Sequence, residues 1–265
     1  MTARSDRPFY ICLGLLGGSY VLLIVALILA DVAHTSVGEL SRVYDSPPIR
    51  SAIVLSLLSC STAAVLSVWV AVPLGYLLSR TRFYGREAID VLLDVPILLP
   101  PVVVGLSLLI LFQTGPGVWF QRAAFPVTYA VAGVVLAQFA VSAAFAVRTM
   151  RVTFDQIDPR TEDIARTLGC SRARAFWLVT LPEARRGVLT AFTLAWARAL
   201  GEFGPILVFC GATRMRTEVL STSVFLELSV GNLEAALAVS LLMIVVAVAV
   251  LVVTRVFGLR GTGLI

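Results

Sequence analysis

This chain contains no lysine: all 21 of its basic residues are arginine. A phosphate-cradling loop ending in Gly-Lys is therefore excluded, so the chain cannot hold a nucleoside triphosphate in that way. Histidine occurs once, at His34, which excludes zinc motifs built on two histidines, and no metal is expected. A Gly-x-Ser-x-Gly nucleophile motif is also missing, so neither common hydrolase arrangement is available and no catalytic residue is expected. Cysteine is sparse and scattered, at Cys12, Cys60, Cys170 and Cys210. That spacing builds neither a disulfide framework nor a CxxC site, and the four read as reduced packing residues. Charge is scarce too. Only 14% of residues are charged and 58% are hydrophobic, with a mean hydropathy of +0.93. Soluble domains hold roughly 45–50% apolar residues, so the composition is that of an all-α, polytopic membrane protein.

Six apolar runs carry this reading. Residues 9–30 are uncharged over 22 positions and residues 51–79 over 29, each long enough for a ~30 Å hydrocarbon core. The first exceeds the apolar region of a cleaved signal peptide, about 7–15 residues, and is expected to stay as an uncleaved span. Pro73 and Gly75 predict a kink in the second. A third run covers 95–112 and contains Pro96, Pro100 and Pro101. Prolines so close together cannot continue a regular helix. They mark either a helix entry near the interface or backbone broken at depth, which is tolerated only where protein or water satisfies it. Residues 113–126 read as a turn-rich link, and further spans are expected at 127–147, 188–210 and 235–254.

With the N-terminus inside, the inner segments hold fifteen arginines and the outer segments five, while Arg198 lies within the fifth span. This positive-inside bias places both termini and segment 148–187 in the cytoplasm of a multi-pass inner-membrane protein. It also accounts for the net charge of +5 without invoking nucleic acid.

Within that inner segment, Asp158-Pro159 predicts an N-cap and first turn, and Gly169 is suited to a left-handed C-terminal residue. Ser171 can cap a second short helix, ending near Leu181-Pro182, where the proline can open the next long helix. The pair of helices is either a solvated amphipathic loop or a docking surface. In the fifth span, Arg198 lies about 16 Å from the start at 1.5 Å per residue, near the midplane. Burying it there costs about 2.5–3.5 kcal/mol, so it should face protein or water, with Glu202 on the same helix face. The pair either locks helices together or lends a positive field to an anion's path. Gly201, Gly204 and Pro205 allow a bend or a close backbone approach beside it.

The spacing of Asp163-Ile164-Ala165, Gly169, Val179 and Leu181-Pro182 resembles the loop of ABC importer permease subunits written EAA, three residues, Gly, nine residues, Ile, one residue, Leu-Pro. The departures are Asp for Glu, Ile for Ala and Val for Ile. The words LLPPVVVG (98–105), ARTLGCSR (165–172) and ARALGEFG (197–204) are similar to the molybdate/tungstate and sulfate permease group, and the segment 213–242 is similar to its molybdate or tungstate members. The resemblance implies one permease domain over 1–265, paired with a second copy of itself. It implies two separate ATPase subunits that bind ATP and Mg, and an extracytoplasmic oxyanion-binding protein. The coupling residues would be Asp163, Ala165, Leu168, Gly169, Arg172, Leu181 and Pro182. The path and gate would be lined by Pro100, Pro101, Arg198, Gly201, Glu202 and Gly204. An ion-coupled carrier is the rival class, but such carriers usually show internal repeats, and none is evident.

Overall fold

The computed structural model describes residues 7–260, all in helices and their connections with no strand among them. Arg4 and the extreme termini, expected on the cytoplasmic side, lie outside these residues. Four helices are long and apolar enough to cross a membrane: Phe9–His34, Pro47–Arg80, Val131–Gln156 and Leu233–Thr254. Two bent helix pairs bring the number to six when each pair is taken as one span.

In chain order the first elements are α1 (Arg7–His34), α2 (Val37–Asp45) and α3 (Pro47–Arg80), followed by the two arms α4 (Arg86–Leu98) and α5 (Pro101–Gln113). Next come α6 (Gly115–Ala123), α7 (Val131–Gln156), α8 (Pro159–Thr167) and α9 (Arg172–Ala175). A π-helical turn at Phe176–Thr180 continues α9 into α10 (Leu181–Glu183), and then come α11 (Arg185–Leu200), α12 (Gly204–Cys210), α13 (Leu220–Ser229) and α14 (Leu233–Arg260).

The core is the parallel pair α3 and α7, with α11 laid antiparallel across both. Small side chains set the spacing: Ala63, Ala64, Ala71, Ala137, Ala146, Ala191, Ala195 and Ala199 are all fully buried. In a lipid solvent, helices gain little by hiding apolar surface from one another, so close packing and interhelical hydrogen bonds hold them. Ser67 and Ser142 share a hydrogen bond of 3.0 Å, Gln138 Nε2 donates to Cys60 Sγ at 3.4 Å, and Trp196 Nε1 donates to Ser61 Oγ at 3.2 Å. Gly75 belongs to this contact. A Cβ there would stand 2.8 Å from Met150 Cβ and 2.9 Å from the Arg151 nitrogen, so the glycine serves helix approach, and α3 runs on as one helix through Pro73.

Several expected boundaries change. The third run is not one span from residue 95: α4 begins at Arg86 and meets α5 at 111°, because Pro100 and Pro101 cannot donate to the preceding turn. Pro96 stays inside α4. The fifth run is likewise broken, with 62° between α11 and α12. The link after Gln113 is helical, since Pro116 falls in the first turn of α6, where its missing N–H has no intrahelical partner to lose. The connection after the first span also holds a helix, α2, capped by Ser36 Oγ accepting from the Glu39 N–H at 3.1 Å. Finally, α7 extends past Arg148 to Gln156, so the polar loop starts at Ile157. The charges of its last turns are met by α4, with Arg148 paired to Asp94 at 2.9 Å and Arg151 paired to Asp90.

Candidate translocation path and coupling loop

The two breaks meet. Pro100 is the N-cap of α5 and Pro101 its first residue, and α5 packs along α12. A Cβ on Gly105 would lie 2.6 Å from Pro205 Cα, and one on Gly204 would lie 2.9 Å from Val102 Cγ2. Backbone therefore touches backbone just beyond both bends, and only glycine permits it. Gly201, expected to share this role, does not: its surroundings begin at 3.9 Å, with its own helix's carbonyl oxygens.

At the second bend, Arg198 and Glu202 form the ion pair expected from their i,i+4 spacing. Glu202 is 1% exposed, whereas the Arg198 side chain keeps 29% of its surface and lies 5.7 Å above the Phe145 ring of α7. Ser221 Oγ donates to the Glu202 carbonyl at 2.7 Å, which fixes the bend to α13. One charge is thus locked into protein while the other reaches an open edge. A buried carboxylate with a single cationic partner depends on that partner, and its removal leaves the carboxylate uncompensated.

The polar loop between α7 and α11 has the predicted caps. Asp158 Oδ1 accepts from the Arg160 N–H at 3.0 Å, and Ser171 Oγ accepts from the Arg174 N–H at 3.3 Å. Gly169 takes φ +91°, the left-handed conformation that ends α8. Leu181 and Pro182 lie in the short α10, so Pro182 does not itself open the long helix, which starts at Arg185 after a separate turn. The faces of α8 are the reverse of the usual arrangement. Ile164 and Leu168 are 60% and 81% exposed, while Glu162 and Ala165 point inward at 7% and 9%. Asp163 is exposed and pairs with Arg166 at 3.4 Å, and Arg172 is exposed on the next helix. Ala165, expected among the contact residues, instead packs the helix down.

The residue that sequence reasoning missed is Glu162. Its carboxylate accepts from Tyr76 Oη at 2.7 Å and from Thr180 Oγ1 at 3.3 Å. Its only sequence signal is that it shares the Ala165 face, opposite Ile164 and Leu168. Between the ends of α7 and α11 lies a cavity of about 650 Å3 lined by, among others, Arg148, Thr149, Thr153, Arg186 and Thr190.

Comparison with known proteins places the chain in a family. Residues 71–260 match the family model described as the binding-protein-dependent transport system inner membrane component. A probable molybdenum ABC transporter permease protein of Haloferax volcanii is 36% identical over 239 residues, covering 90% of this chain and 85% of that protein. The molybdate/tungstate transport system permease protein WtpB of Thermococcus kodakarensis is 35% identical over 207 residues, covering 77% and 79%. The sulfate transport system permease protein CysT of Escherichia coli is 32% identical over 222 residues, covering 83% and 80%. Among solved structures, a chain of a bacterial alginate ABC transporter, crystallised with its alginate-bound periplasmic protein, superposes with a TM-score of 0.75 at 16% identity, over 97% of each chain. That likeness is one of fold. With a broken-helix core, an outward apolar face on the capped loop and these relatives, the chain belongs to the family of binding-protein-dependent transport system inner membrane components.

Proposed function

We propose that this chain is the permease subunit of an ATP-driven importer for a tetrahedral oxyanion, molybdate or tungstate. It works as a pair of identical copies with two ATPase subunits, which bind ATP and Mg, and with an external binding protein that delivers the anion. One observation carries the reading: a capped helix, α8, turns Ile164 and Leu168 away from its own protein, in a chain with no Gly-Lys phosphate loop. An apolar face left open on a short capped helix suits a partner that supplies the energy. The arginine distribution supports a cytoplasmic position for it. The oxyanion class is supported by the two molybdenum-type relatives, at 36% and 35% identity. Sulfate is the second reading, supported by the relative of that name at 32%.

In this scheme Arg198 gives the path a positive field, and Glu202 holds the guanidinium in place. On the inner side, Arg186 and the Asp94-paired Arg148 line the 650 Å3 cavity together with Glu183, while the hydroxyls of Thr149, Thr153 and Thr190 donate to carbonyls of their own helices. Affinity is expected to reside in the binding protein, since tight holding inside the path would slow release. Reconstitution of the chain with its cognate ATPase and loaded binding protein tests the proposal. Uptake of molybdate or tungstate should require all three components and ATP, with sulfate competing weakly. Uptake that persists without any ATPase would replace this reading with an ion-coupled carrier.

A further inference from the structure

We propose that Glu162 is the positioning residue through which movement of the coupling helix reaches the membrane helices, with Tyr76 of α3 at the receiving end. The inference rests on the importer reading above.

The nine residues of α8 are held covalently only at Asp158 and Gly169, two turn positions. A helix of that length has little stability of its own. A push on Ile164 and Leu168 would tip it unless its inner face were fastened. That face offers Ala165, which packs, and Glu162, which makes two hydrogen bonds to separate elements: Tyr76 Oη on α3 at 2.7 Å and Thr180 Oγ1 on the π-helical turn at 3.3 Å.

Tyr76 is itself wedged. Its ring stands edge-on to Phe176 at 4.7 Å and to the fully buried Phe154 of α7 at 5.6 Å. One turn further along α3, Arg80 Nη2 donates to the Ile157 carbonyl at 2.7 Å, gripping the chain just before α8. One carboxylate and one phenol thus join α8, α3, α7 and the π-helical turn. The neighbouring Asp163 reaches none of them and pairs only along its own helix. Hydrogen bonds to a charged acceptor are the stronger kind and fix direction as well as distance. The joint transmits both a push and a pull, which apolar contact alone would not.

The test uses the full chain assembled with its cognate ATPase and binding protein in proteoliposomes, supplied with whichever of molybdate, tungstate or sulfate the wild type imports. Tyr76→Phe removes one hydroxyl and keeps the ring against Phe154 and Phe176; Glu162→Gln keeps the shape and removes the charge. Both are expected to retain the ATPase at wild-type stoichiometry. The ATP consumed per anion imported is expected to rise by on the order of tenfold, the factor lost with one hydrogen bond to a charged group. The double variant should be no worse than Tyr76→Phe, because Glu162→Gln weakens the link, leaving a neutral acceptor, and Tyr76→Phe already removes it. A merely structural residue would lower chain yield, bound ATPase and uptake together and leave the ATP-to-anion ratio unmoved; that result overturns the proposal. So does a wild-type ratio in Tyr76→Phe. Absence of ATP-driven uptake in the wild type would remove the importer reading itself, and this inference with it.

Discussion

At the scale of single residues, buried charge decides most of what is unusual here. Glu202 has Arg198 as its charged neighbour, so Arg198→Ala should both lower anion flux and destabilise the chain, by about 3–5 kcal/mol as for a broken buried pair. The double variant Arg198→Ala, Glu202→Gln should recover thermal stability in detergent without recovering uptake. Full recovery of both would make the pair a helix lock with no part in the path. Glu218, in the connection before α13, is 2% exposed. Burial pushes its pKa above the ordinary 4.5, against the opposing pull of the Ser223 hydroxyl and Arg214. The folded chain therefore holds that proton more tightly than the unfolded one. The contribution is complete below the ordinary value and is lost as pH rises through the elevated one. Glu218→Gln should accordingly raise the melting temperature at pH 8, where the buried carboxylate of the wild type is charged. The advantage should vanish in melts near pH 4. The Arg198–Glu202 pair was legible from i,i+4 spacing. The inward turn of Glu162 was not, because a helix bearing Ile164 and Leu168 is ordinarily expected to bury them.

At the scale of elements, α8 and the two bends carry separate predictions. Leu168 is 81% exposed, so Leu168→Arg removes no core contact and should leave membrane insertion and melting unchanged while ATPase co-purification falls to background. Gly169→Asp should have the same effect on coupling and add a cost of about 1–2 kcal/mol, since its φ of +91° suits glycine. At the bends, Gly105→Ala would drive a methyl to 2.6 Å from Pro205 Cα. Backbone cannot swing aside as a side chain can, so a loss of about 1–3 kcal/mol is expected, read as a lowered melting temperature. Gly201→Ala meets nothing closer than 3.9 Å and should melt within about 0.5 kcal/mol of wild type. Both glycines stand near proline or charge in the sequence, but only the packing of α5 on α12 tells them apart.

At the scale of the whole molecule, the prediction concerns sides. A cysteine placed at Arg160 or Arg174, in a chain whose own Cys170 is replaced by serine, should react with a membrane-impermeant maleimide from the cytoplasmic face alone. One placed at Arg42 should react from the opposite face. Reversal of that pattern would overturn the importer reading. The apolar helices, the arginine asymmetry, the caps at Asp158 and Ser171 and the turn at Gly169 follow from the sequence, because each depends on local residue type: apolar length, charge count, a side-chain oxygen or a missing Cβ. The tertiary structure alone decided where the third and fifth runs break, that the breaks touch through Gly105 and Gly204, that α7 outlasts its apolar stretch by pairing with Asp90 and Asp94, and that α8 turns its carboxylate inward. Each of those depends on which distant segment stands opposite, and in a lipid-facing chain hydrophobicity does not choose that partner; small-residue fit and the few polar pairs do.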